Sequence, residues 1–494
     1  MYLYTLTMGV SMGYIQVSSN SCDLGNKWLE REFKYIKFGD KRLVKRLIDT
    51  SLLIENKASG SINQNCRSWK EAKGAYRLFS NKKFEVAEVY SSHYKTTQER
   101  IKGKELVFSV QDTTYLDFDS HPKTKGLGSV SKAYTKHKMG LMMHSALMLS
   151  KEGLPLGLSS QQCWSRAPRE ESAQEKSRRK YISSIKDKES YKWITALKET
   201  MNIIPEGTKV ITIGDRESDI FELLWSCQEL NSLFIVRNRQ NRKFICSKMG
   251  KTNLQTRLNQ ILEKKEIIIE VPKKKNGAAR EAKIEIKYMS GLIPIRSASL
   301  YSSKKHNHKI SDKVAVYVIR AKEINPPKGS EAIDWTLLTN ISVNSFEDAI
   351  EKIDWYKLRW KIEEYFRVLK SGCKIENARL ATKERLEKLI ALKSIIAFKI
   401  LYLSKAAISN PEESCSKILT SKEWQALYIR EHKTIIIPKD PPTIKQAIIW
   451  LGKLGGFMNR KSDRLPGAMT LWRGYENLKE SMEMLCLFTH QTCG

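Results

Sequence analysis

Two short apolar runs constrain this chain more than any other feature: Leu106-Val107-Phe108-Ser109-Val110 and Val210-Ile211-Thr212-Ile213-Gly214. Each has the length and β-branched or aromatic content of a strand, and each runs into a carboxylate, Asp112 after the first and Asp215 after the second. Helical patterns follow near residues 181–203 and from about residue 218, and residues 144–149 and 233–237 read as further strands. Strands alternating with helices predict an α/β fold built on a mixed or parallel sheet. Such sheets place ligands and catalytic groups beyond the carboxyl ends of their strands, where Asp112 and Asp215 are expected. Either aspartate alone could equally begin a turn.

Both flanks read differently. Residues 28–81 are helical in pattern: Leu29, Phe33 and Ile36 recur at helical spacing, then Leu43, Leu47 and Leu52-Leu53. Arg42, Lys45 and Arg46 interrupt the second series, Ala58-Ser59-Gly60-Ser61 breaks it, and residues 69–79 form a third helix. A small helical module with cationic faces suits a duplex-binding head or simply a solvated helical domain. Between about residues 243 and 340 the pattern turns strand-like, with a basic turn at Lys273 to Gly277, and past Asp354 it is helical again. Residues 410–442 have weak periodicity, and Leu454-Gly455-Gly456-Phe457 marks the tail. The expected organisation is a head over residues 1–86, an α/β domain over 87–409 with a β-rich insertion at about 240–345, and a helical region over 410–494. The first 20 residues look like a loose extension in which Met8 or Met12 could be the start.

Charge narrows the partner. The 494 residues carry 86 Lys+Arg against 54 Asp+Glu, a net charge of +32. The cations are distributed, as in Lys41-Arg42, Lys45-Arg46, Lys176 to Lys180, Lys273 to Lys275 and Lys304-Lys305. This points to a long nucleic acid lying across several domains, bound largely through counterion release. With 41% hydrophobic residues the chain can build real cores. The most apolar stretch, residues 394–408, is broken by Lys399 and Lys405, so no membrane span or membrane partner is expected. The N-terminus lacks a basic start and a cleavage site, which predicts a cytoplasmic, nucleoid-associated protein. Nine singly placed cysteines, none at zinc-ligand spacing, argue against a disulfide scaffold or zinc finger. A GxxxxGK[ST] loop, a GxSxG elbow and an HExxH helix are all missing from the sequence.

A third carboxylate comes with geometry. Residues 354–371 read as one helix whose buried stripe is Trp355, Leu358, Ile362, Phe366 and Leu369, within about 80° of arc. Tyr356, Arg359, Glu363 and Lys370 then share a second stripe, with one carboxylate between two cations and a tyrosine. That suits a metal beside a phosphate, although salt bridges on a surface helix would use the same residues. Asp112, Asp215 and Glu363 together make an all-oxygen, hard ligand set, fit for Mg²⁺ or Mn²⁺. Paired divalent ions held this way support in-line attack on a phosphodiester.

The run Tyr356, Arg359, Glu363, Lys370 resembles the Y-(2)-R-(3)-E-(6)-K signature of bacterial DDE transposases of the insertion-sequence-four family, most closely the Tn-five type. Gln111-Asp112-Thr113-Thr114 is similar to the segment of the first family aspartate, and Asp215-Arg216-Glu217-Ser218-Asp219 to the "DREAD" segment, with Ser218 in place of Ala. Gly74-Ala75-Tyr76-Arg77, His144-Ser145, Glu189 to Trp193, Glu323 to Gly329, Trp335 before Leu337-Leu338-Thr339, and Leu454 to Met458 also match.

The resemblance implies an RNase H-like core with two metal ions on Asp112, Asp215 and Glu363. It implies nicking at transposon ends, a hairpin intermediate, reopening by water, and strand transfer into target DNA. Trp335 matches the tryptophan that receives a flipped base; without the resemblance it would read as a core aromatic. Tyr356, Arg359 and Lys370 match residues holding that base's phosphate and the adjacent backbone. Arg237 and Arg379 are similar to arginines near the cleaved strand, and Arg42, Lys45, Arg46 and Arg77 are candidate contacts of the head. The family acts as a synaptic homodimer on terminal repeats, with dimerisation assigned to residues 410–494. Two other readings fit the residues: a second kind of Mg²⁺ nuclease on the same core, and a catalytically silent DNA-binding relic or regulator of transposition.

Overall fold

In a computed structural model the protein is described over residues 26–130, 138–166, 172–246, 250–271, 280–327, 329 and 332–491. The extension with Met8 and Met12, Cys22, the turn at Lys273 to Gly277, Lys328 and Cys493 lie outside these residues, as do the side chains of Lys176, Lys180 and Cys486.

Twelve strands form one mixed sheet among the described residues. Its first half comprises β1 (Leu106–Asp117), the two-residue β2 (Gly128–Ser129), β3 (Met139–Ser150), β4 (Pro155–Trp164), β5 (Lys209–Gly214) and β6 (Leu233–Arg237). β1, β3 and β4 form an antiparallel meander, while β5 pairs parallel with β1 and β6 parallel with β5. This is the RNase H-like arrangement. The second half comprises β7 (Lys243–Cys246), β8 (Gly250–Asn253), β9 (Lys265–Val271), β10 (Arg280–Pro294), β11 (Lys313–Glu323) and β12 (Asp334–Thr339). β12 pairs antiparallel with β6, so the β-rich segment continues the core sheet edge to edge.

Three expectations are corrected here. β1 does not stop at Val110: its pairing with β3 continues through Asp117, so Asp112 lies inside a strand that has outrun its parallel neighbour. β4 falls between the strand expected at 144–149 and the helix expected near 181–203, where no strand is expected. Its Ser159 and Gln161 are nevertheless buried, because Thr200 and a set of buried side chains satisfy them. The helix expected at 181–203 is shorter, α7 (Tyr191–Met201), and a separate helix, α6 (Ala173–Ile182), precedes it.

The head holds α1 (Asn26–Phe33), α2 (Lys41–Asn56), α3 (Ile62–Asn65), α4 (Trp69–Ser80) and α5 (Val86–Ile101). Asp40 and Ser68 cap α2 and α4 by accepting backbone N–H bonds. Within the sheet domain lie α6, α7, α8 (Phe221–Glu229), α9 (Leu254–Asn259), α10 (Ser297–Lys305), α11 (Phe346–Lys357) and α12 (Trp360–Arg367). The remainder is α13 (Lys383–Ser409), α14 (Ser421–His432), α15 (Ile444–Leu454) and α16 (Ala468–Gln491). α14 arises in the weakly periodic stretch because Thr420 and Glu423 close a reciprocal capping box at its start.

α13 is apolar on nearly every face and packs against α2, α4, α5, α12, β4, α15 and α16. Two of its five lysines are paired with distant carboxylates: Lys405 with Glu364 at 2.6 Å, and Lys399 with Glu55 of α2 at 2.5 Å. Lys399 also donates to Tyr475 of α16 at 2.7 Å, Tyr475 donates to Glu423 of α14 at 2.7 Å, and Lys479 pairs with Glu423 at 2.8 Å. This chain of buried charges joins head, central helix and tail. No helix among the described residues is long and apolar enough to cross a membrane.

Lys399→Ala strands Glu55 without its cation, and a loss of about 3–5 kcal/mol is expected as a lower midpoint in denaturant unfolding. A Glu55→Met, Lys399→Met double variant should recover most of it. A second buried group sets a pH response. Burial alone would raise the Glu32 carboxyl, but Arg100 and His93, each 2.6 Å away, hold it down at about 2 from an ordinary 4.5. A depressed carboxyl stabilises above its unfolded pKa, and that contribution is lost as pH falls toward the folded value. Glu32→Gln should therefore be less stable than wild type at pH 7, with the gap narrowing between about pH 4.5 and 2.

Candidate active site

The parallel pairing of β1 with β5 sets the geometry. Val107 through Val110 pair in step with Val210 through Ile213. Two residues further along the same register come Asp112 and Asp215, on neighbouring strands spaced about 4.8 Å apart. Strand alternation puts Asp112 on the face of Phe108 and Val110, against which α11 and α12 pack; the Phe108 and Trp355 rings meet at 5.6 Å. Gln111 and Thr113 point to the opposite face. There the buried His144 bridges them, Nδ1 at 2.9 Å from Thr113 Oγ1 and Nε2 at 3.3 Å from Gln111 Oε1, with its ring edge-on to Trp193 at 4.6 Å. Burial keeps His144 neutral.

Asp112 accepts the Thr113 N–H at 2.7 Å. Burial, then the Asp215 charge, pushes its carboxyl up to about 7. Asp215 is likewise raised by burial and caps the turn Arg216–Ser218, accepting the Glu217 N–H at 2.8 Å. The departure Ser218 has a structural use: its buried hydroxyl donates to the Asp215 carbonyl at 2.6 Å. Gly214 leaves the room, since a Cβ there would come within 2.3 Å of Ser218 Oγ.

The helix expected over 354–371 is broken into pieces, which corrects the shared polar stripe. Leu358 and Arg359 form a tight turn between α11 and α12, with Arg359 N–H donating to the Tyr356 carbonyl at 3.0 Å. A π turn then runs over Val368–Gly372. Glu363 stays beside the aspartates: Arg359 reaches its carboxylate at 2.7 Å and Asp112 at 3.6 Å, while its guanidinium lies 4.6 Å from the Trp360 ring centroid. Lys370 turns instead to Glu376 at 3.3 Å and the Tyr115 ring at 4.5 Å. Arg379 is exposed on the loop after the turn Ile375–Asn377.

Tyr356 is only 2% exposed, burial pushes its phenol up to about 12, and its hydroxyl has no hydrogen-bond partner among the described residues. Trp335 on β12 meets the Tyr356 ring edge-on at 5.4 Å and remains partly exposed. Arg237, which neighbours Tyr356, donates one guanidinium N–H to the Asp334 carbonyl at 3.0 Å while its buried Nε has no partner among the described residues. Two such neighbouring polar groups suit an anionic oxygen supplied from outside.

Several residues escaped sequence reasoning. Asp219, four positions after Asp215, pairs with the buried Arg242 and accepts the Arg239 N–H at 2.8 Å, holding the loop that follows Arg237. Gln161 accepts from the Tyr365 hydroxyl at 3.0 Å and donates to Tyr90 and Ser394 at 2.7 Å each, tying α12 to β4, α5 and α13. The carboxylate at the end of a strand-following motif was the only signal for Asp219; nothing local marked Gln161. Arg42, Lys45, Arg46 and Arg77 lie exposed on α2 and α4, away from this cleft.

Among the described residues no three His, Cys, Asp or Glu side chains are gathered into a closed ligand cluster. Arg359, between Asp112 and Glu363, holds the place of positive charge. The donor chemistry is nonetheless carboxylate oxygen alone, which fits a hard divalent ion.

Two aspartates side by side on an RNase H-like sheet, flanked by a broken helix carrying glutamate and arginine, form a layout suited to a polynucleotide-processing enzyme. Comparison with known families agrees along the chain: residues 25–84 match the family described as Transposase DNA-binding, 190–398 the Transposase DDE domain, and 395–485 the Transposase Tn5 dimerisation domain. The chain belongs to the Tn5-like DDE transposases, and it is a DNA-binding, dimer-forming transposase.

Gly214→Ala should lower the unfolding temperature through the clash with Ser218, by about 1–3 kcal/mol of overpacking. Adding Ser218→Gly to that variant should restore part of the loss in the same melt.

Proposed function

We propose that this transposase moves its element by a cut-and-paste route, with Asp112, Asp215 and Glu363 as its catalytic carboxylates. The observation that carries the reading is the pairing of β1 with β5, which brings two partly buried aspartates alongside each other, with Arg359 joining Asp112 to Glu363. Burying like charges together is costly, and the raised proton affinities of Asp112 and Asp215 express that cost. Divalent cations relieve it. Asp112, Asp215 and Glu363 would hold Mg²⁺, with Mn²⁺ as a substitute, and the ions supply an activated water or 3′-hydroxyl and a stabilised leaving oxygen.

The surrounding residues do the positioning. Arg359 keeps a cation between Asp112 and Glu363, while the Tyr356 hydroxyl and Arg237 Nε are open to a phosphate oxygen. Trp335, braced by the Tyr356 ring, offers an aromatic surface for an unstacked base, which relieves the bend of a hairpin end. Lys370 and Arg379 lie further along the strand path as backbone contacts. In the proposed sequence, water nicks one strand and frees a 3′-hydroxyl. That hydroxyl attacks the opposite strand to form the hairpin, water reopens it, and the 3′-hydroxyl joins target DNA. Each attack displaces one phosphate–oxygen bond as it forms another, so no energy cofactor is needed. A synaptic homodimer would hold one end in each subunit.

The test is a cleavage assay on a labelled duplex carrying the element's own terminal repeat, resolved on a denaturing gel. Mg²⁺-dependent nicking followed by a hairpin-sized product is expected, abolished by EDTA. Glu363→Ala should lower it by at least about 10³-fold while end binding persists. Tight binding with no cut in the wild type would favour the regulator reading.

A further inference from the structure

Trp69 is the most exposed large aromatic of the described residues, at 74%. It opens α4, whose other face buries Ala72, Ala75, Leu78 and Phe79. Along the outer face come Trp69, Lys73, Tyr76 and Arg77, at the i, i+4, i+7 and i+8 spacing that makes one continuous row. Arg46 of α2 faces this row across a groove of about 440 Å³ that Trp69, Lys73, Tyr76 and Arg77 line, and no carboxylate lines it among the described residues. The Tyr76 hydroxyl is engaged with Asn63 at 3.2 Å, which leaves its ring as wall. An exposed indole is costly in water, and one set among cations is matched to an anionic partner with apolar surface at its centre.

We propose that α4 presents this face to the major groove of the terminal repeat, with Trp69 as a sequence-reading residue placed against base edges. Arg46, Lys73 and Arg77 then hold the flanking phosphates. An α-helix fits that groove, and its N-terminal residues are the ones that reach the bases. The indole can donate only one hydrogen bond, so its selectivity comes from apolar contact, and the apolar group on a major-groove edge is the thymine methyl. The inference rests on the DNA-binding assignment of residues 25–84 and not on the catalytic one.

The test is equilibrium binding of the full chain to the terminal-repeat duplex in EDTA, so that cleavage plays no part. Trp69→Ala should weaken binding by about tenfold while leaving the slope of log K against log salt unchanged. Arg77→Ala should weaken it and reduce that slope by about one. Trp69→Phe should retain most of the affinity. Replacing thymines by deoxyuridine one at a time should cost the wild type affinity at one or two positions and cost Trp69→Ala nothing there. Equal affinity of Trp69→Ala and wild type, or the same thymine dependence in both, overturns the proposal. So does a wild type that binds the repeat no better than a scrambled duplex. A Trp69→Ala change in sedimenting mass with unaltered DNA binding would assign the face to protein contact and overturn it as well. Loss of cleavage alone, with these binding contrasts intact, would strike the catalytic reading and leave this one standing.

Discussion

The pairing of β1 with β5 is the interaction on which the rest of the site depends. It brings Asp112, within β1, beside Asp215, just past the end of β5, where both are partly buried and their charges repel. Everything around them answers that problem. Thr113 and Glu217 direct backbone N–H groups at the two carboxylates, Arg359 lies between Asp112 and Glu363, and His144 fixes the strand from behind while staying neutral. A neutral clamp is the useful choice, since a charged one would compensate the carboxylates from the wrong face.

The second half of the sheet exists for the same cleft. Because β12 pairs with β6, Trp335 and Arg237 are brought over Tyr356, at the side of the two aspartates. Asp219 then holds the loop after Arg237 in place, so one five-residue segment supplies both a cleft carboxylate and an anchor for the cationic wall. Gln161 does the corresponding work below, linking α12 to three other elements through buried hydrogen bonds. Buried polar groups of this kind are stable only when each is satisfied, which couples the site to the integrity of the core.

Much of this was legible in the chain. The apolar runs before Asp112 and Asp215 announce strands because they are short and rich in β-branched and aromatic residues, whereas the longer buried run of α13 is a helix. Leu233–Arg237 and the head helices α1, α2 and α4 follow from period, whereas α3 and α5, the latter beyond the expected head, do not. What period could not reveal was pairing. β4 looks polar, since Ser159 and Gln161 carry polar groups whose partners come from α7, α5, α12 and α13, far away in sequence. The helix around Glu363 looks continuous, because Leu358-Arg359 at the turn and Leu369-Lys370 within the π turn are ordinary helix formers.

By itself, then, the sequence determined the residue types of the cleft, the cationic character of the head and the strands that end near carboxylates. These are properties of composition and local spacing. The tertiary structure decided which of those residues meet. It joined Arg359 to Asp112 and Glu363, turned Lys370 away toward Glu376, buried Tyr356 beneath Trp335, and locked head to tail through Glu55, Lys399, Tyr475 and Glu423. Those outcomes depend on strand register and on a helix broken by one turn, and both are set by contacts between residues hundreds of positions apart.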